Sequence, residues 1–199
     1  MKLYYCPGAC SFAAQIVLQE AELAYTPVRV HLRSGKLDDG TDFCSINPLG
    51  YVPMLALDDG NHLLEDAVIL LYIADLVPHK RLAPAHGGFA RYKLLERLNF
   101  IATELHKSFA PFFSGAPEEI QAATRTRLAA LFAWLDAQLA DKEYQLGADF
   151  TVADAYLYTI LGWTPYARIP LDGYAHLLAF QTRIGERPSV QRARALEQQ

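Results

Sequence analysis

At 199 residues, with 52% hydrophobic and 20% charged residues, the chain has an ordinary globular composition and enough length for one large domain or two small ones. A formal net charge of −4 without any basic patch argues against nucleic acid or an anionic membrane surface as a partner. Met1-Lys2-Leu3-Tyr4-Tyr5 lacks the apolar run of a signal peptide, and no segment approaches the uncharged length of a membrane span, so a cytoplasmic protein is expected.

Leu3 to Cys6 reads as a short strand, Pro7-Gly8 as a turn, and Ser11 as the start of a helix whose apolar positions are Phe12, Ala13, Ile16, Val17 and Ala21. Cys10 therefore stands at a helix start, where unpaired N–H groups and a partial positive charge favour a thiolate over its thiol. The competing reading is a small buried hydrophobe, the usual fate of a free cysteine. Cys6, Cys10 and Cys44 follow neither a disulfide framework nor a zinc spacing, and Cys6 and Cys10 do not make a C-x-x-C pair, so no metal is expected.

Tyr25 to Leu32 alternates like a half-buried strand with Pro27 near its start, and Arg33 to Asn47 is a polar loop with at most one short helical turn. Met54 to Leu57 and His62 to Leu64 read as a hairpin turning at Asp59-Gly60. Just before it, Pro53 removes a backbone donor and pushes Val52 toward extended geometry, leaving the Val52 N–H and C=O free to face outward. Leu63 to Ile69 then runs into a helix ending near Leu76, with Asp66 as its N-cap. Capping alone explains Asp66; the alternative is that Glu65, Asp66 and the helix start form a polar corner that holds an ammonium and a carboxylate together.

Val77 to Gly88 carries two prolines and two glycines, and a domain boundary is placed there, giving 1–77, a linker 78–88 and an all-helical 89–199. Phe89 to Phe113 reads as one long helix, interrupted late by Pro111. Leu94, Leu98, Ile101, Leu105 and Phe109 form its buried face, and Tyr92, Asn99, Thr103 and His106 a separate polar stripe suited to a cleft wall or to solvent. Pro117 opens a helix to Leu139, Thr151 to Asp154 is a capping signature assigned to folding, and Leu177 to Ile184 is the last clear helix.

Four stretches in this order resemble the cytosolic glutathione transferases, and among them the bacterial beta class: Tyr5-Cys6-Pro7-Gly8-Ala9-Cys10-Ser11, Asn47-Pro48-Leu49-Gly50-Tyr51-Val52-Pro53, Glu65-Asp66, and Asn99 to Lys107. The resemblance spans essentially the whole chain. It implies an α/β thioredoxin-like N-terminal domain, an all-α C-terminal bundle, a homodimer, and glutathione as co-substrate in the cleft between domains, with no other cofactor. By the same resemblance Cys10 contacts or reversibly bonds the glutathione sulfur, Val52 pairs its backbone with the tripeptide, Pro53 is cis, and Glu65 and Asp66 meet the γ-glutamyl end. Ala9, Tyr51 and Lys107 also belong to the glutathione site, Asn99, Thr103 and His106 line its far wall, and Glu104 reaches toward a partner subunit.

The implied activity is conjugation of reduced glutathione to hydrophobic electrophiles, a detoxifying reaction. Helix N–H groups, the Ser11 hydroxyl and His106 would lower the thiol pKa, with Tyr5 as the alternative hydroxyl donor. Phe112, Phe113, Trp163 and Tyr166 are candidates for the electrophile pocket. Two other readings stand beside it: thiol–disulfide exchange or reductive dehalogenation through Cys10, and a non-catalytic binding protein on the same fold.

Overall fold

The computed structural model describes residues 1–198. The chain divides into two compact units, one formed by Met1–Lys80 together with the segment from Pro188 onward, the other by Arg81–Arg187.

In the first unit β1 (Lys2–Tyr5) lies at the centre of a five-stranded sheet of order β3-β2-β1-β4-β5, with β2 Thr26–His31, β3 Lys36–Leu37, β4 Met54–Ala56 and β5 His62–Leu64. β1 runs parallel to β2 and antiparallel to β4. Within β2, β3 reaches Val30 and His31, so Pro27 sits where no outer strand asks for its missing N–H. Alternation along β1 splits its side chains between two faces. Tyr4 joins Val30, Leu37, Phe43 and Met54 in one buried cluster, stacked on Phe43 at 5.4 Å.

The polar loop after β2 holds more order than its composition suggests, with the two residues of β3 and a 3₁₀ turn at Phe43–Ser45 that buries Phe43. Helices α1 (Phe12–Ala21) and α2 (Asp66–Leu76) pack on each other and bury Ile16, Val17, Leu18, Ile69, Leu70 and Ile73 completely. Glu22 ends α1 in the left-handed conformation, and its carboxylate meets Lys80 at 2.8 Å.

The sequence reading misses one helix. Its last clear helix ends at Ile184, ahead of Arg187-Pro188, yet proline suits a first helical position, and a further helix runs over Pro188–Glu197. It belongs to the first unit because it packs on α1: Ser189 Oγ donates to Glu20 Oε1 at 2.7 Å, Arg192 Nε to Gln19 Oε1 at 3.0 Å, and the Gly8 N–H to Glu197 Oε2 at 3.1 Å. The anticipated division at 89–199 thus omits this return of the chain.

The second unit is all-helical among its described elements, apart from one isolated bridge between Tyr144 and Gly147. The long helix anticipated from Phe89 is broken. α3 spans Phe89–Phe100, a widened π-turn covers Ile101–Leu105, a 3₁₀ turn covers His106–Phe109, and α4 is Ala110–Phe113. Pro111 cannot donate to the carbonyl four residues earlier, and the tightened turn ahead of it absorbs the mismatch. α5 (Glu118–Gln138) and α6 (Val152–Leu161) both pack on α7 (Ala175–Gly185), and every residue of α6 is buried. α6 starts on a capping box in which the Asp154 carboxylate accepts from Thr151 N at 2.8 Å, Thr151 Oγ1 at 2.9 Å and Gln145 N at 2.8 Å.

Candidate functional site

In the first unit the loop between β1 and α1 is built around Ser11. Its fully buried hydroxyl accepts from Cys6 N and donates to Cys6 O, both at 3.2 Å. These bonds fold Pro7-Gly8-Ala9 back and leave Cys10 at the foot of α1, 8% exposed. The Ser11 hydroxyl is thereby committed within the loop, a structural use that the sequence does not suggest.

The Cys10 thiol donates to Val52 O at 3.3 Å. Val52 is held by a second folded loop, in which Asn47, 2% exposed, donates Nδ2 to Tyr51 O at 2.8 Å and accepts from Leu49 N at 3.2 Å. Gly50 has φ +66 and lies against Cys44 Sγ, so a side chain there would meet both backbone strain and a close contact. The Val52–Pro53 bond is cis. Tyr51 projects outward, 67% exposed.

Asp66 is not the N-cap. Glu65 occupies that position with φ +69 and makes no side-chain capping bond, and Asp66 is the first helical residue. Its carboxyl is 4% exposed, neither oxygen has a hydrogen-bond partner, and one oxygen lies within 4.8 Å of Cys10 Sγ. Tyr5, the alternative hydroxyl donor, is buried within electrostatic range of Arg29, Glu197, Asp38 and Cys6, a set that does not include Cys10.

In the second unit the π-turn adds a residue to the helical count and rotates His106 off the exposed stripe of Tyr92, Asn99 and Thr103. His106 is half-buried, and its Nδ1 shares a 2.7 Å hydrogen bond with the Tyr156 hydroxyl. Trp163 meets the His106 ring edge-on at 5.1 Å and the Phe113 ring at 5.0 Å, and Phe113 stacks on Tyr166 at 5.3 Å. Phe112 turns away from this group into the interior, with the Arg125 guanidinium over its ring at 5.4 Å. Thr103 Oγ1 donates to Asn99 O, Lys107 is exposed, and Glu104 accepts from Arg127 of the same chain.

Residues 1–75 match the family described as Glutathione S-transferase, N-terminal domain, and residues 100–188 match Glutathione S-transferase, C-terminal domain. The chain is 43% identical to Glutathione S-transferase GstA of Escherichia coli O157:H7, covering 99% of this chain and 98% of that one. The chain belongs to the glutathione S-transferase family. Its fold is that of a beta-class glutathione S-transferase from Sphingomonas chungbukensis, with TM-score 0.96, 44% identity, and 99% and 98% of the two chains covered. A sphingomonad glutathione S-transferase solved in complex with glutathione matches at TM-score 0.95 and 44% identity, over 100% and 99% of the chains.

For a transferase of this family the resting electrostatics are unexpected. The N–H groups of Cys10 and Ser11 do act on the sulfur to lower its pKa, as a helix start should. Burial and the Asp66 carboxyl outweigh them and push the Cys10 thiol well above its ordinary value. Burial, reinforced by Glu65, also raises the Asp66 carboxyl to about 8. His106 is lowered to about 4 by burial and then by Lys107, so it is a neutral imidazole at physiological pH. Sequence reasoning finds His106 but not Tyr156, whose helix carries only a folding signature and whose hydroxyl has no local pattern to betray it.

Proposed function

We propose that the protein transfers reduced glutathione to hydrophobic electrophiles. The observation that carries this reading is the meeting of the Cys10 thiol at the foot of α1 with the Val52 carbonyl at 3.3 Å, a sulfur site beside a backbone edge able to pair with an extended peptide. On this reading Val52 pairs with the tripeptide backbone, Ala9, Cys10, Tyr51 and Pro53 border it, and the start of α2 with Glu65 and Asp66 receives the γ-glutamyl end. Asn99, Thr103, Glu104, His106 and Lys107 keep their assignment to the ligand through family likeness. The stacked Phe113, Trp163 and Tyr166 offer a flat apolar surface for an aromatic electrophile.

A free thiol ionises near pH ~8.5, so only a few per cent of glutathione is nucleophilic at neutral pH, and a site that favours the thiolate accelerates attack. With a chloro-nitroaromatic substrate the thiolate sulfur forms a bond to the ring carbon, the carbon–chlorine bond breaks, and chloride leaves. Calorimetry should show saturable binding of reduced glutathione, and an assay should show release of chloride and formation of the thioether. No heat of association with folded protein, and no turnover, would refute the reading.

A second reading is favoured by one observation: the group at this helix start is itself a thiol. In thiol–disulfide exchange the Cys10 thiolate attacks a glutathione mixed disulfide, the old S–S bond breaks, Cys10–glutathione forms and the other thiolate departs. Cys10→Ala separates the two, since the helix-start N–H groups and the Val52 edge remain to support conjugation, whereas exchange loses its attacking sulfur. Three free cysteines support a reducing, cytoplasmic setting. Leu49 and Tyr51 on one unit and Phe89 and Tyr92 on the other, all at least 60% exposed, support a homodimer.

A further inference from the structure

We propose that Asp66 is the proton acceptor of the Cys10 thiol, so that the two side chains hold one proton between them once the pair has ionised. Three observations carry this. The Asp66 carboxyl is 4% exposed with both oxygens unpartnered, a costly state for a group with no use. One of those oxygens lies within 4.8 Å of Cys10 Sγ. In the resting chain the thiol hydrogen goes to Val52 O, so rotation about the Cβ–Sγ bond carries it from a backbone carbonyl toward a buried carboxyl oxygen.

The transfer needs no outside reactant. The carboxylate with the thiol becomes the carboxylic acid with the thiolate, the proton passes from Sγ to a carboxyl oxygen, and the pair carries one negative charge before and after. An ordinary carboxylate could not do this, because taking a proton from a thiol is roughly ten-thousandfold uphill at the usual values. Burial brings Asp66 to about 8, far closer to a thiol than an ordinary carboxyl stands, although burial raises the Cys10 thiol as well. The new acid then donates to the thiolate, so the developing charge faces a hydrogen-bond donor instead of a second anion.

The groups that act on this pair are Glu65, which raises Asp66, and the N–H groups of Cys10 and Ser11, which favour the thiolate. When Val52 O accepts an N–H from an extended ligand, the thiol hydrogen loses its resting acceptor and Asp66 is the acceptor that remains. That coupling to turnover rests on the glutathione reading, whereas the proton-sharing pair does not.

The test uses the ligand-free full chain. The rate of alkylation of Cys10 by iodoacetamide is followed against pH by peptide mass spectrometry, with exposed Cys44 as the internal reference. A coupled pair ionises in two steps, so the Cys10 rate should rise several-fold around pH 8 and again at more alkaline pH, and Asp66→Asn should collapse this to one step. In a second measurement, Cys10→Ala should raise the midpoint of the Asp66 carboxyl-carbon NMR titration, because the ionised carboxylate then lacks the thiol that would turn its hydrogen from Val52 O toward it. A single wild-type step superimposable on that of Asp66→Asn, or an Asp66 midpoint unmoved by Cys10→Ala, would overturn the proposal. Failure of glutathione to bind would leave both titrations intact as tests.

Discussion

Asp66→Asn should make the protein more stable, and the gain should grow with pH. In the unfolded chain this carboxyl ionises at its ordinary 3.8, whereas in the folded chain it holds its proton to about 8. Between those limits the folded state binds the extra proton, so acid favours folding and each pH unit upward removes about 1.4 kcal/mol. Asparagine has the same shape and does not titrate. Neither Asp66 oxygen accepts a hydrogen bond, so whatever an amide gains or loses there by contact is the same at every pH. His106 and Asp154 also titrate in the acid range, but both chains carry them and they cancel in the difference. Urea unfolding followed by far-UV circular dichroism at about pH 5.5 and about pH 7.5 should therefore give a stability difference that widens by about 3 kcal/mol in favour of the variant. An unchanged difference would mean that Asp66 is not a neutral acid in the folded protein, and the reasoning from burial would fail.

His106 works in the opposite sense. Its folded value of about 4 lies below the ordinary 6.5, so its contribution is present above 6.5 and lost as pH falls toward 4; relative to His106→Asn, the wild type should lose about 3 kcal/mol between about pH 7 and about pH 4.5 in the same urea assay. At the start of α6, Thr151→Ala removes one of three donors to Asp154 and should cost about 1 kcal/mol, whereas Asp154→Ala strands all three buried donors and should cost about 3 kcal/mol or more, both read from denaturant midpoints.

What the sequence makes legible follows from how locally each feature is determined. The β1–turn–α1 opening, the hairpin at Asp59-Gly60 and the capping box at Thr151 are written within a few residues each, and they form as read. The first helical position of Asp66 is not local in that sense. A residue two places from Leu64 becomes cap or first turn according to how β5 delivers the chain, and the positive φ of Glu65 settles it. The break in the long helix has a visible cause in Pro111, but its position at Ile101–Leu105, ten residues upstream at its start, depends on packing. Tyr156 lies fifty residues from the histidine it bonds, and Arg125 reaches Phe112 across a helix pair, so neither partnership leaves a trace in spacing. Even the last helix was hidden by one ambiguity, since proline serves equally as a stop and as a start.

The same distinction explains why the chemistry of Cys10 reads differently from sequence and from structure. A helix start is a local property, and its favourable effect on an anion is commonly 0.3–1 kcal/mol, up to about 2 kcal/mol when partly buried. Burial is a property of the whole unit, and for a fully enclosed ionisable group it can reach about 3–5 pKa units. The larger effect prevails, so the resting site holds a thiol and a carboxylic acid, both neutral, where the motif alone suggests a thiolate. Neutrality at rest keeps two buried groups of like charge from ionising side by side. It also confines thiolate to the state in which one partner accepts the other's proton, so that the reactivity of this helix start is set by a side chain on α2 and by the occupancy of a carbonyl on Val52.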